Sequence, residues 1–184
     1  MIRILDLTLA TVAIILLFPL TIFIYILIYF ENRSPFLFQK RIGKGNSIFI
    51  LIKFRTMKIG TKSCATHLVD ASKVTKLGNI LRKTKLDEIP QLFNVIKGDM
   101  SLVGPRPCLP SQEELINLRN QYDLYAFLPG VTGLAQVKGI DMSDPILLSE
   151  TDYRMMSNLS IYKYFYYLIM TFFGKGFGDR VKNS

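Results

Sequence analysis

Histidine occurs once in the 184 residues, as His67, and cysteine twice, as Cys64 and Cys108. One histidine cannot build a His-based metal centre, and His67 sits in a polar stretch without a partner motif. The two cysteines are 44 positions apart with no neighbouring Cys or His pattern that reads as a zinc site, so they read as reduced cytoplasmic thiols. Acidic residues are also few, 14 against 23 Lys and Arg, which leaves a formal charge of +9. No long basic run accompanies that charge: the longest cluster is Arg82, Lys83 and Lys85. With an apolar first thirty residues as well, a nucleic-acid module is excluded. There is no Walker A loop, no dinucleotide fingerprint, no internal repeat and no low-complexity segment. The length suits one domain with a real core rather than two. Basic charge beside 49% hydrophobic residues suits a protein resting on an anionic membrane.

From Leu7 to Phe30 there are 24 consecutive residues without a charge, more than the roughly 20 needed to span a bilayer core. A cleaved signal peptide is disfavoured, because Arg3 is balanced by Asp6 and no small-residue cleavage site ends the run. Pro19 removes a backbone donor in the middle of the run and predicts a kink. A bent, re-entrant helix would keep Arg3 and the flanking Arg33, Lys40, Arg41 and Lys44 on the cytoplasmic side. On these residues alone, the bent helix and a straight span stay equally open.

Beyond that segment, Phe36 to Ile42 and Ser47 to Met57 are rich in β-branched and aromatic residues and flank Gly43-Lys44-Gly45-Asn46, predicting a short β-hairpin. Residues 60–72 have a loop composition. Helices are expected over Lys73 to Lys83, Asp87 to Lys97 and Ser111 to Phe127, the last opened by a capping box, Ser111-Gln112-Glu113-Glu114. Another begins at Asp144-Pro145. The final one, Ser160 to Phe173, is dense in aromatics and too short to span, so it reads as an interfacial amphipathic helix, with a buried core helix as the alternative. The fold class is therefore α+β, mainly helical and membrane-associated. A membrane-embedded segment over 1–32 precedes a catalytic domain over 33–184.

Asp87 and Glu88 stand just before Pro90, and proline is comfortable only in the first turn of a helix. Both acids are therefore expected at the positive end of a helix, which favours ionised carboxylates and binds phosphate. One can serve as nucleophile or magnesium ligand and its neighbour as base. In Gly104-Pro105-Arg106-Pro107 two prolines fix the backbone around one guanidinium, a rigid way to present a fork to phosphate. Lys53, Arg55 and Arg82 add the positive charge that a diphosphate requires. Pro129-Gly130-Val131-Thr132-Gly133-Leu134-Ala135-Gln136 joins turn residues to a strand-like piece, with glycines that permit close approach to a ligand. Taken singly, each of these features better suits an ordinary cap, turn or surface cation.

Their order and wording together carry more. The block Leu86-Asp87-Glu88-Ile89-Pro90-Gln91-Leu92-Phe93-Asn94-Val95-Ile96-Lys97-Gly98-Asp99-Met100-Ser101-Leu102-Val103-Gly104-Pro105-Arg106-Pro107, followed by Pro129 to Gln136, closely resembles the bacterial sugar transferase family of monotopic phosphoglycosyl transferases. Lys53-Phe54-Arg55-Thr56-Met57, Asp152-Tyr153 and Asn158-Leu159-Ser160 resemble that family's flanking motifs. The resemblance covers essentially the whole chain and suggests the small catalytic-domain form. It implies a re-entrant helix bent at Pro19, with both ends on the cytoplasmic face of the bacterial inner membrane. The family's usual Ser-Pro pair is here Phe18-Pro19.

The same resemblance implies that Asp87 attacks the β-phosphate of a UDP-sugar, releases UMP and holds the phosphosugar until undecaprenyl phosphate takes it. Glu88 would assist as base or positioning group, and magnesium, bound partly through Asp87, would neutralise the diphosphate. Arg106 and Arg82 would contact phosphate, with Pro105 and Pro107 fixing the loop. Lys53, Arg55 and Gln136 complete the expected substrate contacts. The product would initiate a capsule, O-antigen, exopolysaccharide or glycoprotein glycan. Two departures bear on the donor and the turn: no tryptophan follows Gly139, and Cys108 replaces a larger aliphatic. Small family members tend to take N-acetylated amino sugars. Membrane lipids are implied partners, nucleic acid is not, and a homodimer through the soluble part stays open. The family's alternatives, a catalytically dead scaffold and a multi-pass transferase, conflict with the intact acidic pair and the single spanning-length run.

Overall fold

The first helix, α1 (Ile2–Asn32), continues through Pro19 without interruption. The chain is described by a computed structural model over residues 1–61 and 71–173. Cys64 and His67, and part of the expected loop over 60–72, lie outside the described residues. A helix of this length extends roughly 46 Å. The kink expected at Pro19 does not interrupt the helix, and the Thr21 hydroxyl donates to the Leu17 carbonyl beside it (2.9 Å), a contact that bends helices. Arg33 ends α1 in the left-handed conformation.

The predicted hairpin forms, with β1 (Phe36–Ile42) antiparallel to β2 (Ile48–Phe54) and Phe36 facing Phe54. Its pleat puts Gln39, Arg41, Phe49, Leu51 and Lys53 on one buried face. α2 (Lys76–Thr84) starts three residues later than expected, because the Thr75 side chain accepts the Gly78 N–H and caps it. α3 (Gln91–Lys97) is stopped by Gly98 at φ 101°. Asn94 pins α3 to the hairpin, accepting from the Ile52 N–H (3.0 Å) and donating to the Ile50 carbonyl (2.7 Å).

A second, two-stranded sheet was not legible in the sequence as a pair. β3 (Ser101–Val103) runs parallel to β4 (Gly130–Thr132). The two meet backbone to backbone at Gly104 and Gly130, where a Cβ on Gly130 would lie 2.0 Å from the Gly104 nitrogen. Gly104 and Gly130 therefore serve this close approach of the two strands. Between the strands, α4 (Glu113–Gln121) has no capping box: Gln112 turns back to accept the Leu109 N–H, and a separate 3-10 turn follows at Leu124–Ala126.

α5 (Leu134–Val137), α6 (Pro145–Ser157) and α7 (Ile161–Phe172) complete the layer. Asp144 caps α6 as predicted, and the Ser160 side chain caps α7. The main core gathers Phe49, Leu51, Val95, Met100, Met155, Tyr164 and Tyr167 around Ala10 of α1. A separate cluster packs Ile24 and Ile28 of α1 against Phe54 and Leu81. Both ends of α1 thus rest on the same domain, while Ile15, Leu16, Phe18, Ile22 and Phe23 in its middle stay exposed. α7 divides likewise: Tyr164 and Tyr167 are buried, and Tyr162, Ile169 and Phe172 face outward.

Candidate active site

Asp87 and Glu88 do not open α3. They occupy a 3-10 turn, Leu86–Glu88, one turn ahead of it, entered through Lys85 in the left-handed conformation (φ 57°). The reason is local: Lys85 closes α2 as its C-cap, and the chain must reverse before Pro90 can lead into α3. Asp87 is 3% exposed. Glu88 Oε1 meets the Arg106 guanidinium at 3.1 Å. Both partners keep some solvent contact, so the pair sits at the mouth of a cleft rather than in the core.

That cleft, about 290 Å³ of empty space open to solvent, is bordered by Arg41, Lys53, Glu88, Gln91, Arg106 and Gly130. Three cationic side chains and one carboxylate border it, a net positive lining that suits an anionic ligand. Arg41 and Lys53 are nonetheless buried, because the hairpin face that carries them is covered. Of the sequence-predicted residues, Lys53, Glu88, Arg106 and Pro107 border the cleft. Asp87 is adjacent to it through the chain. Pro105 faces a second, smaller recess behind the loop.

Other expected contacts lie elsewhere. The Arg55 guanidinium donates to the carbonyls of Ser34 (3.0 Å) and Phe36 (3.1 Å), holding the hairpin to the end of α1. Arg82 donates from Nε to the Thr56 hydroxyl (2.8 Å), and its buried Nη1 has no hydrogen-bond partner. Gln136 is buried against Gly133, with both amide atoms unpartnered.

Arg41 was missed as a site residue. Strand alternation was the available signal, since Arg41 shares its face with Lys53. Its Nη1 donates to the Pro107 carbonyl (2.9 Å), and Nε and Nη2 reach Gln39 Oε1. Arg119 was also missed, and no local pattern marks it.

The profile of the family described as bacterial sugar transferase matches residues 1–176. The chain belongs to the bacterial sugar transferase family. Among individual relatives, it is 35% identical over 165 residues to an Aeromonas hydrophila protein named UDP-N-acetylgalactosamine-undecaprenyl-phosphate N-acetylgalactosaminephosphotransferase, covering 85% of this chain and 39% of that one. It is 40% identical over 144 residues to the UDP-glucose:undecaprenyl-phosphate glucose-1-phosphate transferase of Caulobacter vibrioides, covering 75% and 54%. It is 40% identical over 111 residues to a putative undecaprenyl-phosphate N-acetylgalactosaminyl 1-phosphate transferase of Bacillus subtilis, covering 59% and 62%. The chain thus spans from about two fifths to three fifths of the length of these relatives.

Among the described residues no cluster of three His, Cys, Asp or Glu side chains forms a protein-only metal cage. Asp87 and Glu88 offer adjacent carboxylates beside a cationic cleft. That donor set fits magnesium, which is commonly held by one or two carboxylates together with substrate phosphates and water.

Proposed function

We propose that this sugar transferase moves a sugar 1-phosphate from a UDP-sugar to undecaprenyl phosphate through a covalent intermediate on Asp87. The observation that carries the reading is the neighbourhood of Asp87: a carboxylate 3% exposed, chain-adjacent to the Glu88–Arg106 pair, beside a cleft bordered by Lys53 and Arg41. The donors named for the relatives, UDP-N-acetylgalactosamine and UDP-glucose, support the donor class. An N-acetylated amino sugar is the donor we favour, and the product would initiate a surface glycan.

In the first half-reaction an Asp87 carboxylate oxygen forms a bond to the β-phosphorus. The bond from that phosphorus to the bridging oxygen breaks, and UMP leaves with the electron pair. In the second, a phosphate oxygen of undecaprenyl phosphate attacks the same phosphorus and frees Asp87. Arg106, Lys53 and Arg41 hold the phosphate oxygens and oppose the charge that develops on them. Glu88 orients Arg106 and accepts a proton at its carboxylate if the acceptor carries one. Asp87, with the diphosphate, would hold magnesium, which when bound supplies charge neutralisation of the diphosphate.

For location we propose a monotopic arrangement on the cytoplasmic face of the bacterial inner membrane. Supporting it, Arg3 and Asp6 near one end of α1 and Ile24 and Ile28 near the other all bind the same domain. A straight crossing would separate one end from its partners. Bending at Pro19, helped by Thr21, would push the exposed middle of α1 deeper into the bilayer while both ends stay docked. The outward aromatics of α7 suit the headgroup layer.

The deciding experiment incubates the purified full chain with magnesium, undecaprenyl phosphate and a panel of UDP-sugars. UMP release, with a phosphosugar mass on the protein when acceptor is omitted, is expected. UDP release would overturn the reaction assignment.

A further inference from the structure

The Gly104 to Pro107 loop carries Arg106 between two prolines, neither of which has an N–H to tie the loop to itself. Its three successive carbonyls are instead each held by a donor from a different element. The Gly130 N–H of β4 reaches Pro105 (2.9 Å), Arg119 Nη1 of α4 reaches Arg106 (2.7 Å) and Arg41 Nη1 of β1 reaches Pro107 (2.9 Å). Arg119 stands apart from the cleft and is 2% exposed. Its Nη2 donates to Asp152 Oδ2 at 2.6 Å, and Asp152 is fully buried.

A buried ion pair is a poor way to gain stability, since apolar side chains of similar volume fill such a space equally well or better. Burial pushes the Asp152 carboxyl above the usual carboxylate range, and only the Arg119 guanidinium opposes it. What Arg119 achieves that an apolar residue cannot is a two-pronged grip, one prong on Asp152 and one on the Arg106 carbonyl. The Arg106 side chain then leads to Glu88 at 3.1 Å.

We propose that Arg119, braced by Asp152, is a positioning residue: it fixes the main chain at Arg106 and so aims the Arg106 guanidinium and its Glu88 partner into the cleft. The kinetic consequence rests on the transferase reading above, whereas the positioning itself does not.

Two variants of the full chain in detergent test it. Arg119→Met with Asp152→Leu removes both buried charges while keeping the space filled. Arg119→Lys keeps a cation against Asp152 but loses the planar fork. The first readout is the solvent-exchange rate of the Arg106 Nε–H by NMR, with the signal assigned by its disappearance in Arg106→Lys. An increase of about tenfold in both variants at unchanged melting temperature is expected. An unchanged rate would overturn the proposal whatever reaction the protein catalyses. Should the double variant not fold, Arg119→Lys carries the same comparison.

The second readout is steady-state UMP release. The proposal expects KM for the UDP-sugar to rise, with kcat/KM falling roughly 10- to 100-fold, as small misplacements of a substrate-holding group do. A merely structural role would lower the maximal rate through lost active protein and leave KM alone, and that outcome overturns the proposal. Wild-type KM in Arg119→Lys would do the same. If the unaltered chain releases no UMP from any donor, the transferase reading falls, and the exchange rate alone decides the role of Arg119.

Discussion

The hydroxyl of Tyr164 on α7 donates a 2.8 Å hydrogen bond to Asp6 Oδ1 on α1, across 158 positions of sequence. The same carboxylate oxygen accepts from the Ser101 hydroxyl (3.0 Å) and the Leu102 N–H (2.9 Å), so one acid joins both membrane-candidate helices to β3, the strand that leads into the Arg106 loop. Tyr164→Phe is expected to cost about 1–3 kcal/mol, because it takes a donor away from the buried Asp6 carboxyl. Chemical denaturation in detergent measures it.

Burial, then the bond to Asp6, raises the Tyr164 phenol well above its usual range, and burial raises Tyr125 in the same direction. A folded-state pKa above the unfolded value of about 10 gives stability that is complete below pH 10 and is lost as pH rises further. Melting temperature is therefore expected to hold up to about pH 9 and fall above about pH 10, with a shallower fall in Tyr164→Phe. Equal slopes in the two proteins would refute this assignment.

Asp87→Asn is nearly isosteric but is not a carboxylate nucleophile. UMP release and the phosphosugar adduct are both expected to vanish, with the protein still folded and membrane-associated. Intact-protein mass spectrometry and a nucleotide assay read the two losses, and a near-normal rate would end the nucleophile assignment.

Glu88→Gln keeps an acceptor for Arg106 and removes the charge and the basicity. A fall in rate of about 10²- to 10⁴-fold fits a general base. A change confined to the donor KM would instead make Glu88 an aligning group for Arg106.

Gly130→Ala would place a methyl group 2.0 Å from the Gly104 nitrogen, against backbone that cannot rotate away. The expected cost is at least the roughly 1–3 kcal/mol of an overpacked core, with loss of activity through the displaced loop. Thermal melts alongside UMP release measure both.

For topology, Ile2→Cys in a Cys64→Ser background should react with an impermeant thiol reagent only from the cytoplasmic side of sealed inverted or right-side-out vesicles. Reaction from the periplasmic side would sink the monotopic arrangement.

Elements set by short-range preferences were legible in advance. The hairpin around Gly43–Asn46 forms where alternation and turn residues predicted it, and Asp144-Pro145 caps α6. The Ser111 capping box did not form: the helix begins at Glu113 with Gln112 at its N-cap, and the Gln112 side chain turns back to accept from the Leu109 N–H. The helix expected from Asp87 starts at Gln91, because Lys85 closes α2 and the reversal consumes a 3-10 turn. In the site, the acidic pair and the Pro-Arg-Pro loop were readable as motifs, and Arg41 was recoverable from strand alternation. Arg55, grouped with them by its charge, instead braces Ser34 and Phe36.

The sequence by itself determined the long apolar helix, the hairpin, the membership of the family and the motifs around which the site is proposed, because periodicity, turn chemistry and motif order act over a few neighbouring positions. The tertiary structure alone decided that Glu88 meets Arg106, that β3 lies beside β4 and that Arg119 grips the Arg106 carbonyl with Asp152 behind it. In one dimension a buried arginine and a surface arginine look the same. What separates them is a partner brought close by packing of elements far apart in the chain, since burial of a charge is tolerable only where such a partner arrives.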